Sequence, residues 1–131
     1  MILGVGTDLL RLARGEALWA RFGERALRKL LHPDEAARFD HARAPGAALA
    51  RAFAAKEAFV KALGTGFIGV GYSEVGALRR PSGAPYLVFS ERLAAELRRR
   101  GVQASHLSLS DEGGFVLAFC VLEGEAARLD A

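Results

Sequence analysis

An alanine-rich segment that ends in glycine limits the fold of this chain more than any other stretch. Residues 47–63 have the composition of a helix, and the Gly64-Thr65-Gly66 sequence that follows is typical of a helix end. Four of the alanines lie close to Glu57 in the sequence, so another group can approach the helix closely there. These alanines are Ala54, Ala55, Ala58 and Ala62. We therefore expect a helix with a small, accessible surface around Glu57.

The two halves of the chain differ in their patterns. The first half predicts a strand over residues 2–10, a helix over 12–31 that bends at Gly23, and a short helix over 34–41 after Pro33, with a loop at Pro45 and Gly46. After a glycine-rich loop, the second half predicts strands over 72–80, 86–89, 106–110 and 115–122, and a helix over 91–100 capped by Ser90. No regular βαβ alternation is present. We expect one α+β domain over residues 1–131, with a small antiparallel sheet packed against helices.

Composition restricts the class of protein. Hydrophobic residues make up 51% of the 131 residues and charged residues 25%, which is typical of a soluble globular domain. The longest apolar run, residues 115–122, is too short to cross a bilayer, and the N-terminus has no basic lead-in of a signal peptide. The single cysteine, Cys120, forms no internal disulfide and fits core packing. We expect a cytoplasmic protein that does not contact a membrane.

Asp8 is the first candidate for chemistry. It follows an apolar strand, where a carboxylate must be exposed, paired or bound to a metal. The segment by itself favours an aspartate that caps a helix or forms a turn, and it leaves a metal ligand as the alternative.

Glu57 and Lys61 are the second candidate, because they are one helical turn apart and share a face. An exposed helix ion pair, worth about 0.3–0.5 kcal/mol, is the simpler interpretation. A site is the alternative, since the Gly-Thr-Gly sequence can present backbone N–H groups to a phosphate as well as end the helix. His106 stands at the start of an alternating strand, where a single histidine is more often structural than catalytic. Zinc is not expected, because no His and Cys residues have metal-ligand spacing.

The third candidate is a basic surface that we call the arginine stripe. At about 100° per residue, one narrow sector of the predicted helix collects four arginines and one leucine. Its members are Arg14, Leu18, Arg21, Arg25 and Arg28. The net charge of +3 favours an anionic partner. The stripe is either a solvated face or a docking surface for an acidic helix that also offers an apolar contact.

Three segments together resemble the holo-[acyl-carrier-protein] synthases, the short trimeric class of 4′-phosphopantetheinyl transferases. Residues 4–8, GVGTD, resemble the first motif of that family, and residues 51–66, RAFAAKEAFVKALGTG, closely resemble its second motif, RFAAKEAxxKAxGTG. Residues 106–111, HLSLSD, resemble its C-terminal strand motif. The order, spacing and length also fit, so the resemblance covers nearly the whole chain.

The resemblance implies transfer of 4′-phosphopantetheine from coenzyme A to a serine of apo acyl carrier protein, with 3′,5′-ADP as the second product, in fatty acid biosynthesis. It implies that Asp8 and Glu57 bind Mg²⁺ and that Lys61 stabilises the leaving group. Glu57 is the candidate base, acting either directly or through a metal-bound water. The resemblance also implies that the arginine stripe docks the carrier and that the protein is a homotrimer with sites at subunit interfaces. The residues implied to hold coenzyme A are Arg51, Lys61, Gly64, Thr65, Gly66, Pro85 and His106.

Two departures from the family pattern concern residues near the predicted nucleotide site. Ala84 replaces the usual lysine of a Gly-Lys-Pro turn, so Arg79 or Arg80 is expected to compensate. Asp111 stands where the family often has histidine, and it is left out of the predicted site.

Three other functions are considered. A nucleic-acid-binding module fits the basic charge but not the aromatics, because Trp19 and Phe22 fall off the stripe. A carrier-binding protein without activity is disfavoured by the presence of Asp8, Glu57 and Lys61. A transferase for peptide or polyketide synthase carriers is disfavoured by the short chain. We expect no nucleic acid partner.

Overall fold

The first half of the chain forms one strand and four helices. The computed structural model describes residues 1–41 and 43–125, so the end of the predicted domain, residues 126–131, lies outside the described residues. Strand β1 (Ile2–Arg11) leads directly into helix α1 (Leu12–Phe22), and helix α2 (Glu24–Leu30) follows. The predicted bend at Gly23 is confirmed, because this residue has a φ of 51° between the two helices. The predicted single helix is therefore two.

Helix α3 (Pro33–Ala37) is shorter than the predicted helix over residues 34–41. It begins with a capping box, in which the His32 side chain accepts from the Asp34 N–H and the Glu35 side chain accepts from the His32 N–H. The chain leaves the helix at Arg38, and the ring of the next residue, Phe39, packs against Trp19 at a centroid distance of 5.6 Å.

Helix α4 (Pro45–Leu63) begins two residues before the predicted start, so the expected loop at Pro45 and Gly46 is wrong. Proline suits the first turn of a helix. Glycine suits position 46 of the helix because α1 packs directly against it. A Cβ atom there would lie 2.6 Å from Glu16 Cα. Gly64 ends the helix with a φ of 83°, as predicted.

The second half contains the remaining strands and one helix. The predicted strand over 72–80 divides into a 3-10 turn (Tyr72–Glu74) and strand β2 (Val75–Arg79), followed by β3 (Pro85–Phe89). Helix α5 (Glu91–Arg99) begins at Ser90, whose hydroxyl accepts from Leu93 N–H at 3.1 Å as predicted. Strands β4 (Val102–Glu112) and β5 (Phe115–Gly124) are longer than expected. Glycines with positive φ at 113 and 114 join them.

The strands form two antiparallel sheets, one with the order β1-β5-β4 and a hairpin of β2 and β3. Helix α4 packs against the larger sheet and also contacts α1. The α+β class with antiparallel sheets packed against helices is therefore confirmed. Cys120 is buried in this core, where burial raises the pKa of its thiol to about 12, as expected for a packing residue. Within the described residues, no helix is both long and apolar enough to cross a membrane.

Candidate active site

The glycines of β1 let α4 pack against the strand backbone. Gly4, Gly6 and Asp8 are two residues apart and share the strand face that looks toward α4. A Cβ atom at Gly6 would lie 2.0 Å from the Ala58 carbonyl oxygen, and one at Gly4 would lie 1.8 Å from that of Ala62. The group that approaches the alanine-rich helix is therefore the chain's own first strand.

This close packing brings Asp8 beside Lys61 of α4. Asp8 lies within β1 opposite Ala118, so it neither caps a helix nor forms a turn. Lys61 Nζ lies 3.3 Å from Asp8 Oδ1 and donates to the Thr7 carbonyl oxygen at 2.9 Å. The Oδ2 atom of Asp8 is buried and has no hydrogen-bond partner among the described residues. A buried carboxylate oxygen without a donor is costly unless a cation or proton reaches it.

Glu57 completes this group. Its pKa is raised, mainly by burial and then by the nearby Asp8 carboxylate, while Lys61 and Arg14 oppose the shift. Lys61 hydrogen-bonds to Thr7 and Asp8 of β1, so the simple Glu57–Lys61 helix pair does not describe this site. Two carboxylates that repel each other beside one ammonium group can hold a hard cation such as Mg²⁺ or retain a proton.

The Gly64-Thr65-Gly66 segment follows directly at the same end of α4. Both Gly64 N–H and Thr65 N–H donate to the Val60 carbonyl oxygen, at 3.0 and 3.3 Å. The Thr65 hydroxyl donates to the Gly66 carbonyl oxygen at 2.8 Å. The helix-cap interpretation is thus confirmed, and two of the three N–H groups considered for a phosphate already serve this cap.

A cleft of about 510 Å³ lies on another side of α4. It brings together Arg51 and Pro85, two of the residues predicted to hold the nucleotide. Arg79 also lines it, on the hairpin where a basic residue was expected to replace the missing lysine. Arg38 and Arg43 were not predicted. The excess of arginine over lysine was the only sequence signal for these residues. Their spacing in the sequence does not predict the cleft, because only the fold brings them together.

His106 lies apart from this cleft. It is in the middle of β4 rather than at its start, and its ring Nε2 is 2.9 Å from Glu123 Oε1. It is paired opposite Val121, on the sheet face that points away from α4. Arg51 instead contacts Asp111, the residue left out of the predicted site, with Nε 2.7 Å from Oδ2. Arg51 and His106 therefore do not meet within one chain.

The arginine stripe is divided by Gly23 between α1 and α2, but its two halves remain together. All four arginines are exposed. Arg21 and Arg25 both lie over the ring of Phe22, at 5.0 and 5.7 Å, and Arg14 lies over Phe53 at 5.8 Å. Leu18 is not a free apolar anchor, because it packs partly against the same core cluster as Trp19.

Comparison with known proteins decides the family. The sequence model of the 4′-phosphopantetheinyl transferase superfamily matches residues 4–120. The chain is 49% identical over 131 residues to a holo-[acyl-carrier-protein] synthase of Thiobacillus denitrificans, covering 99% of this chain and 100% of that protein. The chain belongs to the holo-[acyl-carrier-protein] synthase family of this superfamily. The resemblance based on three motifs is thereby confirmed.

Solved structures of holo-[acyl-carrier-protein] synthases share the fold. The enzyme of Neisseria meningitidis is 40% identical, with a TM-score of 0.88 over 94% of this chain and 99% of that chain. The enzyme of Helicobacter pylori, solved in complex with coenzyme A, is 27% identical, with a TM-score of 0.78 over 91% and 99%. The fold around Asp8, Glu57 and the cleft is therefore that of the family.

Proposed function

We propose that this protein transfers the 4′-phosphopantetheine group of coenzyme A to a serine hydroxyl of apo acyl carrier protein. The products are holo carrier protein and 3′,5′-ADP, and the reaction serves fatty acid biosynthesis in the cytoplasm. One observation carries the proposal: Asp8, Glu57 and Lys61 converge where the glycine face of β1 meets α4, in a chain that aligns with holo-[acyl-carrier-protein] synthases over its length.

Asp8 and Glu57 fit a magnesium ion. The buried Oδ2 of Asp8 lacks a hydrogen-bond donor among the described residues, and the proximity of the two carboxylates raises the pKa of Glu57. Across residues 1–41 and 43–125, no group of three acidic, His or Cys side chains could hold a metal ion, so the remaining ligands would be diphosphate oxygens and water. When bound, Mg²⁺ neutralises charge on the diphosphate and orients it for attack by the carrier serine.

The side chains of the chain supply the proton transfer and the leaving-group contact. Glu57 accepts the proton of the serine hydroxyl, either directly or through a water molecule. Lys61, fixed by its hydrogen bond to the Thr7 carbonyl oxygen, offers a compact positive charge to the departing phosphate.

The cleft of four arginines suits the nucleotide end of coenzyme A. Arg51 and Pro85 would contact the adenosine 3′-phosphate and the nucleotide, with Arg38, Arg43 and Arg79 adding positive charge. Gly64, Thr65 and Gly66, which follow Lys61 in the chain, would line the diphosphate side. The coenzyme A complex of the Helicobacter pylori relative supports this ligand class.

A homotrimer would unite His106 with this site. The sheet face opposite α4 exposes large apolar side chains, at 65% for Leu9, 43% for Leu117 and 41% for Phe119. A neighbouring copy would cover this face, and His106, on the same face, would then reach the neighbour's nucleotide. Light scattering should give a trimer, and a stable, active monomer would reject interface sites.

The arginine stripe would dock the acidic carrier protein. Arg21→Glu should raise the KM for the carrier by about tenfold at low salt and leave coenzyme A affinity unchanged. Arg98→Glu makes the same charge change on α5, away from the stripe, and should change neither quantity. A loss of coenzyme A affinity in Arg21→Glu would assign the stripe to the nucleotide site instead.

The activity itself is tested with apo acyl carrier protein, coenzyme A and Mg²⁺, with intact-mass spectrometry of the carrier. We expect a gain of one phosphopantetheinyl group that EDTA prevents and excess Mg²⁺ restores. A carrier that a known transferase modifies, but that this folded protein does not, would reject the proposed function.

A further inference from the structure

The ion pair between Arg51 and Asp111 has no part in the proposed reaction as described. Arg51 Nε donates to Asp111 Oδ2 at 2.7 Å and so joins α4 to the end of β4. The Arg51 side chain is 36% exposed and that of Asp111 is 31% exposed, so the pair lies at the rim of the cleft, where a ligand can reach it.

Arg51 lies among like charges. The cleft also contains Arg38, Arg43 and Arg79, and one of its two acids, Glu35, is already paired with the buried Lys56. An arginine side chain has several rotatable bonds, and repulsion from neighbouring guanidinium groups favours rotamers that point into solvent. The hydrogen bond from Arg51 to the Asp111 carboxylate opposes this movement.

The atom used in the pair determines what Arg51 can still bind. A guanidinium group has two edges that can hold a phosphate or carboxylate in bidentate fashion, one formed by Nε with a terminal nitrogen and one by both terminal nitrogens. Asp111 binds at Nε, so the edge formed by Nη1 and Nη2 is directed away from it. That edge matches two oxygens of a phosphate group.

We propose that Asp111 is a positioning residue that orients Arg51 to bind the 3′-phosphate of coenzyme A, and so sets the preference for coenzyme A over 3′-dephospho-coenzyme A. The inference rests on the proposed function for the identity of the ligand. A competing role makes the opposite prediction, because a carboxylate that only neutralised Arg51 would weaken phosphate binding.

The test is the ratio of the dissociation constants of 3′-dephospho-coenzyme A and coenzyme A, measured by titration calorimetry with Mg²⁺. We expect the wild type to prefer coenzyme A, and Asp111→Ala to lower this preference by about tenfold through weaker coenzyme A binding alone. Glu112→Ala removes the same charge from the next residue, on the other face of β4, and should keep the wild-type ratio. Asp111→Asn, which retains an acceptor for Nε, should lie between wild type and Asp111→Ala.

A double-mutant cycle with Arg51→Ala identifies the path of the effect. We expect Arg51→Ala to remove the preference and Asp111→Ala to add nothing to it. Tighter coenzyme A binding by Asp111→Ala, an unchanged ratio, or a preference that survives Arg51→Ala would each overturn the proposal. Binding is measured without carrier protein, so a wild type that binds with the expected ratios but fails in the mass-spectrometry assay would reject the proposed function and not this inference.

Discussion

The buried pair Lys56–Glu35 and the partly exposed pair Lys61–Asp8 both involve α4, but their surroundings differ. Lys56 Nζ lies 2.5 Å from Glu35 Oε1 and also donates to the Val75 carbonyl oxygen. Glu35 accepts further from His32 N–H at 3.0 Å and Ala77 N–H at 2.9 Å. The polar atoms of this pair are satisfied by the protein. At the Lys61–Asp8 pair, by contrast, one carboxylate oxygen has no donor among the described residues.

The difference separates a structural pair from a functional one on the same helix. Lys56 and Glu57 are neighbours in sequence, but a helix turns about 100° per residue, so Lys56 points between α3 and β2 while Glu57 points toward Asp8. Charges that the protein satisfies by itself can join elements of the fold. Two carboxylates that it leaves in mutual repulsion are suited to a cation from outside.

The largest expected effect breaks the functional group. Glu57→Gln should reduce transfer by about 10⁴-fold, because it removes both the proposed base and a metal ligand. The free energy of unfolding in EDTA should not fall, since a repulsive contact with Asp8 is removed. Single-turnover mass spectrometry and urea unfolding measure the two quantities. Glu35→Gln, an equivalent change at the structural pair, should show the reverse pattern, and substantial turnover by Glu57→Gln would reject the metal-and-base model.

The next effect breaks the structural pair. Lys56→Met should lower the free energy of unfolding by about 3–5 kcal/mol, because it leaves the Glu35 carboxylate buried without its cation. The folded fraction should keep transfer activity within about threefold of wild type. This change is much smaller than the loss expected for Glu57→Gln. The double variant Lys56→Met/Glu35→Leu should regain most of the lost stability, since apolar groups then replace both charges. A double variant no more stable than Lys56→Met would show that the pair itself is not the source of the loss.

The sequence could predict the elements but not which lysine is buried. The segment that contains Lys56 and Glu57 reads as one alanine-rich helix, and helix periodicity alone does not separate a side chain in the core from one beside a ligand. The fold class and most helices and strands could be predicted from the local sequence pattern. Capping residues and glycines with positive φ mark the ends of these elements. Asp8 and Glu57 were assigned together only through the family resemblance, since each alone fits a common structural role.

Strand register explains what was missed at the nucleotide end. The strand that carries His106 was predicted to end at Ser110, so Asp111 was left outside it. The observed β4 continues to Glu112, and residues separated by an odd number along a strand lie on opposite faces. His106 and Asp111 therefore diverge, and only Asp111 faces Arg51. The length of β4 depends on its pairing with β5. The local sequence pattern of β4 does not predict that pairing.

The smallest expected effect is the pH dependence of stability, and it tests whether Asp8 and Glu57 repel each other in the absence of metal. The folded-state pKa of Glu57 is raised above the ordinary value near 4.5, mainly by burial and then by Asp8. Between that value and the raised pKa, the folded protein binds more protons than the unfolded chain. The contribution of Glu57 to stability is therefore fully present below pH about 4.5 and decreases as pH rises through the raised pKa. Because Glu57 is only partly buried, solvent screening keeps this contribution small.

Urea unfolding in EDTA gives the free energy of unfolding of each protein from pH about 4.5 to pH about 8. The difference between wild type and Glu57→Gln should decline over this range, because only the wild type contains the Glu57 carboxylate. The double variant Lys56→Met/Glu35→Leu should keep the decline, since its altered pair lies on the other side of α4. Adding Mg²⁺ at the upper pH should restore stability by about 1.4 kcal/mol at ten times its dissociation constant, in wild type but not in Asp8→Asn. This pattern requires that the cation binds the ionised acid pair, because a general effect of salt would act equally on Asp8→Asn. Equal Mg²⁺ responses in both proteins would show that the repelling carboxylates do not bind the cation. The contrast between a structural pair and a functional pair on α4 would then fail.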